Sequence, residues 1–351
     1  MGSFGITGTH SVAACKGPGV TVGRSGASIG AVSFIASDYW PLNTCLYVKN
    51  FKGNDPRFCY YFLKTFDLAR LNSGSAQPSL NRNFVHPVQA SFPPPCEQRA
   101  IASTLGALDD KIDLNRRMNE TLEAMARALF KDWFVDFGPT RAKMEGRAPY
   151  LAPDIWALFP DRLDDEGKPE GWTAGRLDDL LVLQRGFDLP ATRRTDGPYP
   201  VIAASGINGT HAAFMVRGPG VTTGRSGVLG KVFYVQEDFW PLNTSLWVKQ
   251  YKAASPLYAY FLLQRLDFES FNAGSAVPTL NRNHVHSMPL VLPRTALVEA
   301  FDAVCLPMME RLRKNEEENE TLAATRDLLL PKLMSGEIRV RDAERVLEAV
   351  A

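Results

Sequence analysis

The sequence of 351 residues predicts an α+β chain, two tandem β-rich globular domains separated by two long helices. Three observations predict it. The chain is duplicated internally, each copy changes composition once, and the stretch that ends each copy carries heptad spacing.

The duplication is explicit. Gly17-Pro-Gly-Val-Thr-Val-Gly-Arg-Ser-Gly26 recurs as Gly218-Pro-Gly-Val-Thr-Thr-Gly-Arg-Ser-Gly227. Trp40-Pro-Leu-Asn-Thr44 recurs at Trp240–Thr244, and Gly74–Asn83 recurs at Gly274–Asn283. Asn119-Glu-Thr-Leu122 returns as Asn319-Glu-Thr-Leu322. The offset is 201 before Ser28 and 200 after it, far longer than a solenoid repeat, so a whole domain is duplicated.

Within each copy the first part is rich in Gly, Pro, Asn and aromatics, with short β-like runs such as Val32–Ile35 and Lys231–Val235. The second part is almost free of glycine. There Ile101, Leu105, Leu108, Ile112, Asn115, Asn119, Leu122, Ala126, Leu129 and Trp133 keep a strict 4-3 alternation, the seam of a coiled coil. Phe301, Cys305, Met308, Leu312, Asn315, Asn319, Leu322, Arg326, Leu329 and Leu333 repeat the register. Both copies place Asn at the same two seam positions (Asn115, Asn119; Asn315, Asn319), where a polar residue costs stability and fixes register. At about 1.5 Å per residue, about 38 residues give a first helix of about 57 Å, a spacer as much as a core element. Pro307 predicts an interruption early in the second helix.

The boundaries follow: a first globular domain over 1–96, a central helix over 97–137 and a Pro-rich linker over 138–170. A second globular domain over 171–295, a C-terminal helix over 296–335 and a tail over 336–351 complete the chain. The near-neutral total, +1, hides a segregation. Residues 1–96 hold eight basic and three acidic residues (+5), and 171–295 hold twelve and eight (+4), while helices, linker and tail are net negative. Positive globular domains on an acidic spacer suit two nucleic-acid contacts. No run of eighteen apolar residues and no signal-like N-terminus is found, which argues against membrane spans and secretion. Five cysteines without a C-x-x-C pair read as thiols in a reducing cytoplasm, not as a disulfide or zinc framework.

A catalytic constellation is not found. Gly23–Gly30 has glycines but no phosphate-loop Lys-Ser/Thr, and neither H-E-x-x-H nor G-x-S-x-G occurs. The histidines lack partners at metal-ligating spacing, so no metal is expected. What both copies share is polar. Arg24-Ser25 and Arg225-Ser226 lie on Gly-flanked turns, and Asn81-Arg82-Asn83 and Asn281-Arg282-Asn283 sit in one short loop each. Arg reads guanine edges bidentately and Asn reads adenine, so these are candidate DNA contacts. Ser75 and Ser275 are candidate phosphate contacts. For any single one of them, local turn chemistry is the competing reading.

Leu129-Phe-Lys-Asp-Trp-Phe-Val-Asp-Phe137 with Pro139-Thr-Arg141 follows the first helix, and Leu328–Ile338 follows the second. Pro93-Pro-Pro95 with Glu97-Gln98-Arg99 opens the first helix. On these segments and the duplication, the sequence resembles the specificity subunit of type I restriction-modification systems over nearly its whole length. The resemblance implies two target-recognition domains and two long helices that pair antiparallel as a coiled coil. Each domain then reads one half of a split site in double-stranded DNA, and the helices set the gap. It implies no catalysis and no cofactor in this chain. Two modification subunits would carry S-adenosylmethionine and methylate adenine N6, joined where present by restriction subunits. Antiparallel helices on tandem copies imply a pseudo-two-fold axis and an interrupted, inverted site.

One departure stands out. About 35 residues, matching Trp172 to Ala203, have no counterpart at the N-terminus. They include Arg185, Arg193 and Arg194, further candidate DNA contacts. A shortened start, a piece supplied by another polypeptide and a defective first domain are the readings left open. The alternative function is a scaffold that binds modification subunits but reads only one half-site.

Overall fold

The computed structural model describes residues 1–74, 77–271 and 278–348. In chain order, strands β1 (Gly19–Gly23), β2 (Val32–Ile35) and β3 (Cys45–Tyr47) precede helices α1 (Pro56–Lys64), α2 (Arg82–Val85) and the long α3 (Pro95–Phe134). Helices α4 (Gly138–Met144) and α5 (Pro153–Leu158) follow. The second copy contains β4 (Thr173–Arg176), α6 (Leu177–Leu180), β5 (Leu181–Arg185), β6 (Tyr199–Ala203), β7 (Gly206–His211), β8 (Gly220–Gly224) and β9 (Val232–Val235). It continues through β10 (Trp240–Pro241), β11 (Ser245–Tyr251), α7 (Pro256–Gln264), α8 (Arg282–His286) and β12 (Pro289–Leu292). The chain then forms α9 (Thr295–Ser335) and α10 (Val340–Glu348).

Two compact units result, one made of Met1–Met118 with Lys314–Ala351, the other of Asn119–Arg313. Each holds one globular copy and part of each long helix.

In the first unit an antiparallel sheet of order β2-β1-β3 packs on α1. Asp55 caps α1 by accepting from Phe58 N at 2.8 Å, with Pro56 at the first turn, where its missing N–H costs nothing. Phe58 and Tyr61 of α1 pack on Ile101, Leu105 and Leu108 of α3 and on Leu329, Leu330 and Leu333 of α9. Asp109 meets Arg326 at 2.6 Å, and Asn115 Nδ2 donates to Glu318 Oε2 at 2.8 Å and to Asn319 Oδ1 at 3.1 Å. Partner numbers fall as α3 rises, so the helices run antiparallel here.

The second unit repeats this plan. Strands β9, β8 and β11 take the places of β2, β1 and β3, and β5 adds a fourth strand beside β11. Beside β3 the described residues of the first unit place no strand. Its residue Met1 takes the place of Ile202: Leu42 N donates to Met1 O, and Leu242 N to Ile202 O, both at 2.8 Å. Ser255 caps α7 as Asp55 caps α1, accepting from Tyr258 N at 3.0 Å. The core is aromatic, with Phe130 5.7 Å from Phe301 and Trp133 6.1 Å from Phe301. Asn119 Nδ2 donates to Leu312 O at 3.2 Å, so the helices are again antiparallel.

Ile101, Leu105, Leu108, Ile112, Asn115, Ala126 and Trp133 of the expected seam are buried, as are Phe301, Cys305, Asn315, Leu329 and Leu333. The interruption expected at Pro307 does not occur. Helix α9 passes through it, with Pro307 on an exposed face where solvent can satisfy the carbonyl its ring leaves unpaired. Residues 138–170, expected as a linker, contain two short helices, α4 and α5, where Pro139 and Pro153 stand in the first turn and start helices instead of breaking them. Phe159 and Trp172 join the second unit's core. Among the described residues, no helix is long and apolar enough to cross a membrane.

Candidate nucleic-acid interface

The Gly-Arg-Ser-Gly turns are forced by close backbone approach. A Cβ on Gly23 would lie 2.1 Å from Ser28 O, and one on Gly224 1.8 Å from Val228 O. Only glycine fits, and the chain must turn there. Arg24 follows with both backbone groups committed: its N donates to Thr44 O at 2.9 Å and its O accepts from Leu80 N at 2.7 Å. Arg225 repeats this, its N donating to Thr244 O at 2.8 Å and its O accepting from Leu280 N at 2.9 Å. Each guanidinium leans on the next loop, Arg24 Nη1 to Asn43 O at 3.3 Å and Arg225 Nη1 to Asn243 O at 3.4 Å.

The second motif is thereby drawn to the first. Gly26 N donates to Pro78 O and Gly227 N to Pro278 O, and Ser25 bridges Ser79 as Ser226 bridges Thr279. Asn81 and Asn281 cap α2 and α8, each Oδ1 accepting from the N–H two residues on, Asn83 and Asn283, at 3.0 Å. Turn duty thus occupies the acceptor oxygens of these two asparagines. Arg82, Asn83, Arg282 and Asn283 remain exposed beside them.

In the second unit the arrangement forms a cleft of about 450 Å³ lined by Arg185, Arg225, Asn281 and Arg282 with Leu246, Thr279 and Leu280. Arg185 ends β5, opposite Leu246 in the register of β11. Its contact with Asp188 is loose at 3.7 Å between two exposed groups, so the guanidinium is available to an anion. Three arginines on one cleft make a positive, donor-rich surface with reach for phosphate or base edges.

Other expected contacts lie apart. Arg193 is exposed on a 3-10 turn outside the cleft, and Arg194 donates to Asn208 O at 2.5 Å and Oδ1 at 2.7 Å, stapling the β6–β7 hairpin. Ser75 and Ser275 lie outside the described residues. Asn115 and Asn119 sit on the helix pair, bonded as described above; Asn315 is buried, and Asn319 accepts from Asn115.

The structure adds two features. The repeated Trp-Pro-Leu-Asn-Thr motif is the bed on which each arginine turn rests, through Asn43-Thr44 and Asn243-Thr244. A further repeat, Gly5-Ile-Thr-Gly-Thr-His10 against Gly206-Ile-Asn-Gly-Thr-His211, lies beside that bed, as strand β7 of the β6–β7 hairpin in the second copy and after the tight Gly2–Gly5 turn in the first. Self-comparison at the same offset of 201 is the signal that finds it. His286 of α8 accepts from Leu183 N through Nε2 at 2.8 Å, and burial holds its pKa below the ordinary histidine value. Among the described residues, no three His, Cys, Asp or Glu side chains are grouped to hold a metal.

Comparison with known proteins agrees with this plan of two copies. The model of the type I restriction modification DNA specificity domain matches residues 4–124 and 169–297. The type I restriction enzyme MjaIX specificity subunit of Methanocaldococcus jannaschii is 24% identical, over 89% of this chain and 76% of its own. The HindI specificity subunit of Haemophilus influenzae is also 24% identical, over 77% of this chain and 73% of its own. The crystal structure of a type I restriction-modification S subunit from M. genitalium superposes with a TM-score of 0.62 at 17% identity, covering 93% of this chain and 85% of that one. The chain belongs to the family of type I restriction-modification DNA specificity domains and carries two of them.

Proposed function

We propose that this chain is the DNA-reading subunit of a type I modification complex, each specificity domain contacting one half of a split site. The single observation that carries the reading is the repeated joining of an arginine turn to an Asn-Arg-Asn loop, built by the same backbone hydrogen bonds in both copies. Arg and Asn are the side chains that discriminate guanine and adenine edges. The paired helices hold the spacing and dock two modification subunits, which supply S-adenosylmethionine and the adenine-N6 methyl transfer. Restriction subunits join where the system has them. The domain limits follow the duplication: the globular parts read DNA, the helices space and dock. In this role the chain works in the cytoplasm.

Coexpression with the modification subunit from the same genome and mapping of N6-methyladenine tests this. A split motif with two defined halves is expected. A second reading, in which only the second domain reads DNA, is favoured by the arginine-lined cleft that Arg185 joins there. That reading gives one defined half. No methylation despite a stable complex overturns both.

A further inference from the structure

We infer that Ile6 and Ile207 are apolar base contacts, each meeting the 5-methyl group of a thymine in the half-site its domain reads. The inference rests on the DNA reading above and deepens it. Ile6 is 78% exposed and Ile207 74% exposed, in two copies that differ at more than half of their aligned positions. A lone exposed isoleucine is unremarkable, but the same one kept twice is not explained by packing.

The local backbone is also kept. Gly5 (φ +110°) and Gly206 (φ +124°) precede the two isoleucines in a conformation that a side chain disfavours. Gly2 pairs with Gly5 as Ala203 pairs with Gly206, closing a two-residue turn.

The turn before each isoleucine sits beside the arginine turn of its unit. A Cβ on Gly224 would lie 3.2 Å from Ala204 O, and one on Gly23 2.7 Å from Ser3 O. Thr244 joins the two pieces, its Oγ1 accepting from Ala204 N at 3.4 Å and its O from Arg225 N at 2.8 Å. In the first unit Thr44 O accepts from Ser3 Oγ and from Arg24 N. The turn that precedes each exposed isoleucine is therefore fastened to the backbone of the arginine turn. In the major groove, where Arg and Asn read base edges, the apolar group on offer is the thymine methyl. The tips differ, Phe4 (86% exposed) in the first domain against Ser205 in the second, so the apolar contact is broader in the first.

The test uses the full chain assembled with modification subunits and a duplex carrying the mapped site. Thymines are replaced by deoxyuridine, one half-site at a time, and affinity is read by fluorescence anisotropy. Loss of one contacted methyl weakens wild-type binding about fourfold. Ile207→Ser binds the thymine duplex correspondingly less well, no longer distinguishes uracil from thymine in one half, and melts like wild type because the position is exposed. Ile207→Val retains the discrimination. The inference is overturned if Ile207→Ser discriminates as wild type does, or if neither half-site contains an A·T pair. Arg282→Ala separates the two failures. If it weakens binding while Ile207→Ser changes nothing, the isoleucine contact alone fails; if neither matters, the DNA reading fails with it.

Discussion

At the residue scale, His286 shows what one added strand does to a repeated side chain. Its equivalent, His86, is exposed, whereas His286 lies under β5 and accepts the Leu183 N–H. Protonation would set a ring N–H against that donor. Burial depresses the folded pKa, so the neutral ring's contribution is fully present above the unfolded value of about 6.5. The contribution is lost as the pH falls below that value through the folded pKa. Between pH 7.5 and 5, His286→Gln, which keeps an acceptor and cannot titrate, should show a flatter decline in melting temperature than wild type. Equal slopes would mean that the imidazole does not titrate against folding. Burial likewise pushes the Cys305 thiol up to about 12, in keeping with its place in the apolar seam.

At the element scale, the two units solve one packing problem with different chemistry. In the first, Tyr61 Oη donates to Asp109 Oδ2 at 2.5 Å and Arg326 Nη1 to Asp109 Oδ1 at 2.6 Å, tying α1, α3 and α9 together. In the second, the equivalent positions are Phe261, Met309 and Ala126, all buried. Asp109 and Arg326 are only 21% and 17% exposed, so removing one partner strands the other in poor solvent. Asp109→Ala should cost about 2–3 kcal/mol by chemical denaturation, moderated because Asp327 still holds Arg326 at 2.8 Å. Replacing all three with apolar groups, Tyr61→Phe with Asp109→Met and Arg326→Met, should return to within about 1.5 kcal/mol of wild type. A triple variant weaker than Asp109→Ala would show that the polar network has no apolar substitute.

At the scale of the whole molecule, the positive charge lies in the globular domains and the negative charge in the helices, linker and tail. DNA affinity of the assembled complex should therefore fall steeply with salt. Arg82→Ala and Arg282→Ala should each weaken binding. A phosphate contact would lower the salt slope by about one, and a base contact would instead cost about 1–3 kcal/mol and relax specificity at one position. Binding that is indifferent to both changes would remove the Asn-Arg-Asn loops from the interface.

How far the sequence reaches differs between fold and site. The duplication and the heptads were legible because each is a linear regularity: a repeated string needs only alignment, and a 3.5-residue period is written in the order of residues. The same regularity gave the seam from Ile101 to Trp133. Pro139, Pro153 and Pro307 misled, because a proline's effect depends on whether its missing N–H would have had a partner, and that is decided by position within a turn of helix. The site was legible as residue types but not as a place. Arg24 and Asn81 stand 57 positions apart, and nothing linear says that Leu80 N reaches Arg24 O. Sequence by itself determined the two copies, the paired helices and the family. Only tertiary structure decided that Arg185, Arg225 and Arg282 share a cleft while Arg194 serves a hairpin, because convergence of side chains is set by strand register and hydrogen bonds between segments remote in the chain.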